Sequence, residues 1–223
     1  MKRELILNGF RIGEYTLSNE EFYKVFEQKY RDGMNYVGIS TNICDERDEL
    51  GSPFPQETFI EWAKFLTDKK MYFYFGSGGG NRREIGFTEE TAKKMKEIAG
   101  DYFIGYYLGE TGSSFSCKGS GYADGAIGVY EDLQQAKDIY VNRVKEYAKG
   151  NSKGGILKTS IIESTAMVTY NCEGGITFPA MEIWPGDVEI ATAYTRGAAT
   201  AYKCPGWSAY MAHEWYGGLE WDE

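Results

Sequence analysis

Residues 71–110 read MYFYFGSGGGNRREIGFTEETAKKMKEIAGDYFIGYYLGE and contain one complete strand–helix–strand unit. The apolar run at 71–75 predicts a strand that ends in a glycine-rich loop. Thr88 predicts a helix N-cap, acidic residues follow in the first turn, and Gly100 is a stop signal. A second strand is predicted at 102–110. Because strands joined through a helix run parallel, this stretch predicts a parallel sheet covered by helices.

The same alternation extends along the whole chain. Strands are predicted at residues 9–15, 34–41, 71–75, 102–110, 156–164, 176–184 and 207–214. Helical spacing or capping signals separate most of them, and two long loops are predicted at 111–128 and 165–175. Seven such repeats predict a (β/α)₈ TIM barrel, in the α/β class, without a clear eighth strand–helix unit. We expect a single barrel domain over residues 1–223, truncated at its C-terminal end; a miscounted first strand is the alternative.

Composition limits the class of partner and the compartment. The chain has a formal net charge of −9, which disfavours nucleic acid and anionic membranes as partners. No run approaches the roughly 20 apolar residues of a membrane span. The start, MKRELILNGF, is too short for the apolar region of a secretory leader. A leader removed from a secreted or periplasmic protein is favoured over a cytoplasmic location.

The cysteine and histidine content predicts neither a metal site nor a cofactor. Cys44, Cys117, Cys172 and Cys204 show no Cys-x-x-Cys spacing, and His213 is the only histidine. Cys117 and Cys172 fall in predicted loops that share one face of a barrel. A disulfide between them is one hypothesis, and free thiols are the favoured one.

Acidic side chains stand at the predicted ends of several strands. Glu110 ends strand four, Glu163 strand five, Glu182 strand six, and His213 with Glu214 strand seven. In a barrel these strand ends meet at one mouth, where active sites lie. Like charges brought together repel and raise each other's pKa, so clustering these carboxylates destabilises the fold unless they serve a function. The pattern predicts a functional site.

At these positions the chain resembles the clan A glycoside hydrolases, which are (β/α)₈ barrels with glutamates after strands four and seven. The matching residues are Gly109-Glu110 and His213-Glu214. The resemblance implies a retaining glycoside hydrolase acting on a poly- or oligosaccharide, with Glu110 as acid/base and Glu214 as nucleophile, about 5–5.5 Å apart. The chain departs from the clan in having Gly109 where Asn usually precedes the acid/base. Strand-end carboxylates bound to a lysine or a backbone amide are the alternative interpretation.

Other residues near the strand ends are candidates for substrate binding. Glu163 and Glu182 are predicted to orient a catalytic group or bind a sugar hydroxyl, or else to make buried structural hydrogen bonds. His213 is a hydrogen-bonding candidate or a core histidine. Aromatic side chains stack on sugar faces or fill the core, and the candidates are Tyr74, Trp184, Trp215 and Tyr216. Of Tyr106 and Tyr107, at most one is expected to face the barrel interior.

Two other functional interpretations remain open at this point. A non-catalytic carbohydrate-binding barrel would use the same mouth without the chemistry. A barrel fragment would need a partner segment or an oligomer to close. A phosphate cradle at 76–80 is disfavoured, because the glycine run lacks the lysine of a P-loop.

Overall fold

The computed structural model describes residues 7–12, 19–40, 55–77, 87–109, 131–163, 167–183 and 188–211. The described strands are β1 (Gly9–Ile12), β2 (Tyr36–Ser40), β3 (Tyr72–Ser77), β4 (Phe103–Leu108), β5 (Lys158–Glu163), β6 (Ala180–Ile183) and β7 (Ser208–Met211). The described helices are α1 (Asn19–Lys29), α2 (Gln56–Asp68), α3 (Glu89–Ala99), α4 (Leu133–Asn151), α5 (Val168–Glu173) and α6 (Val188–Ala201). Within these residues, no helix has the length and apolar character needed to cross a membrane.

The strands follow one another in the sheet in chain order, from β1 to β7. The pairings β1–β2, β2–β3, β5–β6 and β6–β7 are parallel. A doubly wound sheet would reverse its order at a switch point, whereas consecutive order is the (β/α) barrel pattern. The predicted fold class is therefore confirmed. The described residues contain seven strands, and the predicted lack of a clear eighth strand–helix unit stays a prediction.

By contacts, the chain comprises two compact units. The first consists of Met1–Tyr107 with Gly150–Leu157, and the second of Leu108–Lys149 with Lys158–Glu223. The single domain over residues 1–223 stays a prediction.

The first unit has an aromatic core between its helices and one face of its sheet. Helix α2 buries Phe59, Trp62 and Leu66 at helical spacing. The Trp62 ring stacks on Phe22 of α1 with centroids 4.2 Å apart. The Phe59 ring meets Phe75 of β3 edge-on at 5.3 Å. These contacts fix the odd-numbered side chains of β3 toward the helices, so the even-numbered ones point to the opposite face.

Local capping signals bound α3 as predicted, and a backbone motif ends α6. The Thr88 side chain accepts a hydrogen bond from the Thr91 amide at 3.1 Å, so Thr88 is the N-cap of α3. Gly100 follows α3 with φ +51°, a conformation that favours glycine. Helix α6 ends in a Schellman motif, in which Lys203 has φ +55° and the Cys204 amide donates to the Ala199 carbonyl at 2.8 Å.

The prediction of a loop at 165–175 is wrong, because this segment contains helix α5. This helix has only six residues, so it offers less than two turns of periodicity to recognise. Its register is decided by burial of Val168, Asn171 and Cys172. Strand β6 is also shorter than predicted and begins after Pro179, which cannot donate to a strand ladder.

Candidate functional site

The described residues include three of the nine predicted site residues: Tyr74, Glu163 and Glu182. The other six lie outside the described residues: Glu110, Trp184, His213, Glu214, Trp215 and Tyr216. Their assignment stays a prediction. Two of the described strands end shortly before the two proposed catalytic residues. Strand β4 ends two residues before Glu110, and β7 ends three residues before Glu214.

Tyr74 belongs to a group of tyrosines on the face of the first unit's sheet that points away from the helices. Its ring lies 5.3 Å from the Tyr36 ring and 4.7 Å from the Tyr107 ring, between centroids. Tyr36 and Tyr74 are half-buried, and Tyr107 is 4% exposed. We call Tyr36, Tyr74 and Tyr107 the tyrosine face. Half-buried phenols offer both a ring to stack on and a hydroxyl to hydrogen-bond.

Two glycines make room for the tyrosine face. A Cβ at Gly38 would lie 2.8 Å from the Tyr74 Oη, and a Cβ at Gly76 would fall inside the Tyr107 ring. Any larger residue at Gly76 would therefore displace Tyr107. The sequence carries a signal for this arrangement, since β2 and β3 both contain Tyr-x-Gly, at Tyr36–Gly38 and Tyr74–Gly76. Tyr36 was not among the predicted site residues.

The side of the sheet on which Tyr107 lies could not be read from alternation alone. Phe103 stacks on Phe73 at 5.1 Å, which places Phe103 on the helix-facing side. Strict alternation would put Tyr107 on that same side, four residues later. Instead Tyr107 contacts Tyr74 and lies over Gly76, on the opposite side. Gly105, between them, has φ +153°, and this glycine conformation accompanies the break in alternation.

Glu163 lies on the helix-facing side of β5 and is 0% exposed. It pairs in register with Met181 of β6, whose sulfur accepts a hydrogen bond from Thr195 of α6. The Tyr140 hydroxyl, on α4, is 3.3 Å from Glu163 Oε1. Of the two interpretations made for Glu163, this placement favours the buried structural hydrogen bond.

The Tyr140 hydroxyl also contacts Asn171 of α5, at 2.6 Å from Oδ1. One phenolic proton cannot satisfy both acceptors, and the buried Asn171 Nδ2 has no hydrogen-bond partner. Rotating the Asn171 amide by 180° satisfies the proton count, because Nδ2 then donates to Tyr140 and Tyr140 donates to Glu163, and it leaves the partnerless position to Oδ1. Burial, followed by the Glu163 charge, raises the pKa of the Tyr140 phenol well above its ordinary value. The phenol therefore stays a protonated donor at neutral pH.

Replacing Tyr140 with Phe is expected to lower the free energy of unfolding by about 1–3 kcal/mol, because the buried Glu163 loses a donor. Tyr147→Phe is the matched control. Tyr147 is on the same helix, is only half-buried, and accepts a hydrogen bond from Arg143 Nε at 3.0 Å. We expect its loss to cost less than about 0.5 kcal/mol. Urea titrations followed by circular dichroism measure both; equal costs would contradict a special role for Tyr140.

Glu182 lies on the other face of the sheet from Glu163. It pairs in register with Tyr210 of β7, while its neighbour Met181 points to the helices. Glu182 is 8% exposed. The two glutamates that the sequence grouped together at strand ends are thus separated by the sheet. Glu182 therefore points away from the helices, whereas Glu163 points toward them.

The described residues contain no group of three or more His, Cys, Asp or Glu side chains suited to a metal ion. On the surface of α3, Glu89 and Lys93 form an exposed ion pair at 2.6 Å.

No protein-family model matches this chain, and no curated protein matches it. Among solved structures, it is similar to D-psicose 3-epimerase from Clostridium cellulolyticum H10, determined with D-tagatose. The identity is 11%, the TM-score is 0.49, and the match covers 92% of this chain and 84% of that one. The clan A resemblance is accordingly carried by the residues that motivated it and by nothing in these comparisons.

Proposed function

We propose that this chain is a carbohydrate-active enzyme that hydrolyses glycosidic bonds with retention of configuration. The observation that supports it is the position of the strand ends: β4 stops at Leu108 and β7 at Met211, shortly before Glu110 and Glu214. In a sheet of barrel order, residues that follow the carboxyl ends of strands form the active-site face. Carboxylates from two such strands are what glycoside hydrolysis requires.

In the proposed mechanism, Glu110 protonates the leaving oxygen while Glu214 attacks the anomeric carbon and forms a glycosyl-enzyme. Glu110 then removes a proton from water, which releases the sugar with its original configuration. Glu182 is proposed to bind a sugar hydroxyl, and Tyr74 is proposed separately to stack on a sugar ring face. Substrate binding is also proposed for four residues of the second unit: Trp184, His213, Trp215 and Tyr216.

The covalent intermediate gives a direct test. We expect one of a panel of 2-deoxy-2-fluoro glycosyl fluorides, of gluco, galacto, manno and xylo configuration, to label the protein once. The fluorine slows both steps, and the reactive fluoride leaving group lets the first step proceed, so the adduct accumulates. Tandem mass spectrometry of tryptic peptide 204–223 should locate the label on Glu214.

The same peptide contains a matched control. Glu220→Gln should leave labelling unchanged, while Glu214→Gln should abolish it. Labelling that persists in Glu214→Gln, or that falls on another carboxylate, would contradict the assigned nucleophile. No labelling by any sugar, together with no hydrolysis of the matching glycosides, would contradict the enzyme.

A non-catalytic carbohydrate-binding barrel is the second candidate, and the half-buried rings of Tyr36 and Tyr74 favour it as much as they favour the enzyme. Glycan-array binding by a protein that hydrolyses none of the bound glycans would select it. A fragment that needs an oligomer would instead show a concentration-dependent sedimentation coefficient.

A further inference from the structure

The second unit holds two cysteines in one packed cluster. Cys172 is on α5 and is 5% exposed, and Cys204 follows α6 and is half-buried. Both are free cysteines. Cys204 packs against the cluster formed by Val168, Cys172 and Ala198.

Hydrogen bonds hold the chain segments that carry the two cysteines. Cys204 is fixed by the Schellman motif at the end of α6, and its thiol is 3.8 Å from the Ile176 carbonyl oxygen. Helix α5 is tied to α6 by the Thr169 hydroxyl, which donates to the Tyr194 hydroxyl at 2.8 Å. Both cysteines are therefore held on hydrogen-bonded segments of one packed cluster, and closeness of this kind is what a disulfide requires.

We propose that Cys172 and Cys204 form an intramolecular disulfide when the protein meets a low-molecular-weight disulfide oxidant. This differs from the Cys117–Cys172 pairing suggested by the sequence. The bond would join α5 to the turn before β7. It would make residues 172–204 a covalently closed loop.

The exchange balances as two successive substitutions. The Cys204 thiolate attacks one sulfur of the oxidant, forms a mixed disulfide and expels one thiolate, which takes up a proton. Cys172 then loses its proton and attacks the Cys204 sulfur, and a second thiol leaves. Two protein thiols are oxidised, and one oxidant disulfide is reduced to two thiols.

At neutral pH both cysteines are held in the protonated thiol form, which does not attack a disulfide. Burial, then the neighbouring Cys204, raises the pKa of Cys172 to about 12, and burial also raises the pKa of Cys204. Because only thiolates attack disulfides, the exchange is best started at mildly alkaline pH.

The test uses the full chain, incubated with oxidised glutathione at pH 8.5, alkylated and digested with trypsin without reductant. Cys172 falls in tryptic peptide 159–196 and Cys204 in peptide 204–223. We expect these two peptides to appear joined in most molecules. The oxidised protein should melt about 5–10 °C higher than the reduced one, and dithiothreitol should reverse the shift.

Two variants complete the test. Cys204→Ser should lose both the joined peptides and the melting shift, whereas Cys44→Ser should keep both. Joined peptides that pair Cys172 with Cys117, or glutathione adducts on Cys204 that never resolve, would overturn the proposal. So would a melting shift that survives in Cys204→Ser.

Discussion

Glu214→Gln is expected to lower the turnover number on a glycoside substrate by on the order of 10⁴-fold, because the amide cannot attack the anomeric carbon. Glu110→Gln is expected to cost about 10²–10⁴-fold, the usual contribution of a general acid. The second loss should depend on the leaving group. An activated aryl glycoside departs without protonation, so its first step should suffer much less than that of a natural glycan.

The measurement is steady-state hydrolysis of aryl glycosides and of the matching oligosaccharide, with binding of the oligosaccharide followed by calorimetry. Glu131→Gln is the control, since Glu131 is an exposed residue before α4. Affinity for the oligosaccharide should change little in both catalytic variants. If Glu214→Gln retained wild-type turnover, the two-carboxylate mechanism would be wrong; if the wild type only bound, the chain would be a binding module.

Trp62→Ala is expected to lower the free energy of unfolding by about 3–5 kcal/mol, the cost typical of deleting a fully buried large aromatic. Trp62 is 1% exposed and stacks on Phe22. Its indole Nε1 also donates to Asn19 Oδ1 at 2.8 Å, so the substitution removes a link between α1 and α2 as well as core volume.

Phe65→Ala on the same helix is the matched comparison. Phe65 is only half-buried, although its ring meets Phe26 edge-on at 5.1 Å. We expect its loss to cost about 1–2 kcal/mol. Trp62→Phe should fall between the two, because it keeps most of the apolar contact and loses the indole donor. Urea unfolding followed by far-UV circular dichroism measures all three; a Trp62→Ala cost no larger than that of Phe65→Ala would contradict the central place of Trp62 in this core.

Much of the fold was predictable because its signals are local. The Thr88 cap and the Gly100 stop are set by side-chain and backbone chemistry within a few residues, and the structure confirms both. The alternation of apolar runs with helical spacing was enough to predict seven strands in parallel order. Helix α5 was missed because six residues carry too little periodicity, and what makes them helical is burial against α6.

The candidate site was less predictable, because it depends on which side of a strand each residue occupies. Glu163 and Glu182 both stand near strand ends, yet the β5–β6 register places them on opposite faces. A shift of one residue reverses every side chain of a strand, and no local signal fixes that shift. Tyr107 gives a second case, since the break in alternation near Gly105 moves it to the tyrosine face.

The sequence by itself determined the order of strands and helices, the helix caps and the positions of Glu110 and Glu214 along the chain. Tertiary structure alone decided that Glu163 is buried against Tyr140, that Gly76 accommodates Tyr107, and that Cys172 meets Cys204. The physical reason is the distance along the chain over which each kind of interaction acts. Backbone preferences and hydrogen-bonding caps act between near neighbours, whereas register and burial are set by close packing between segments far apart in the chain.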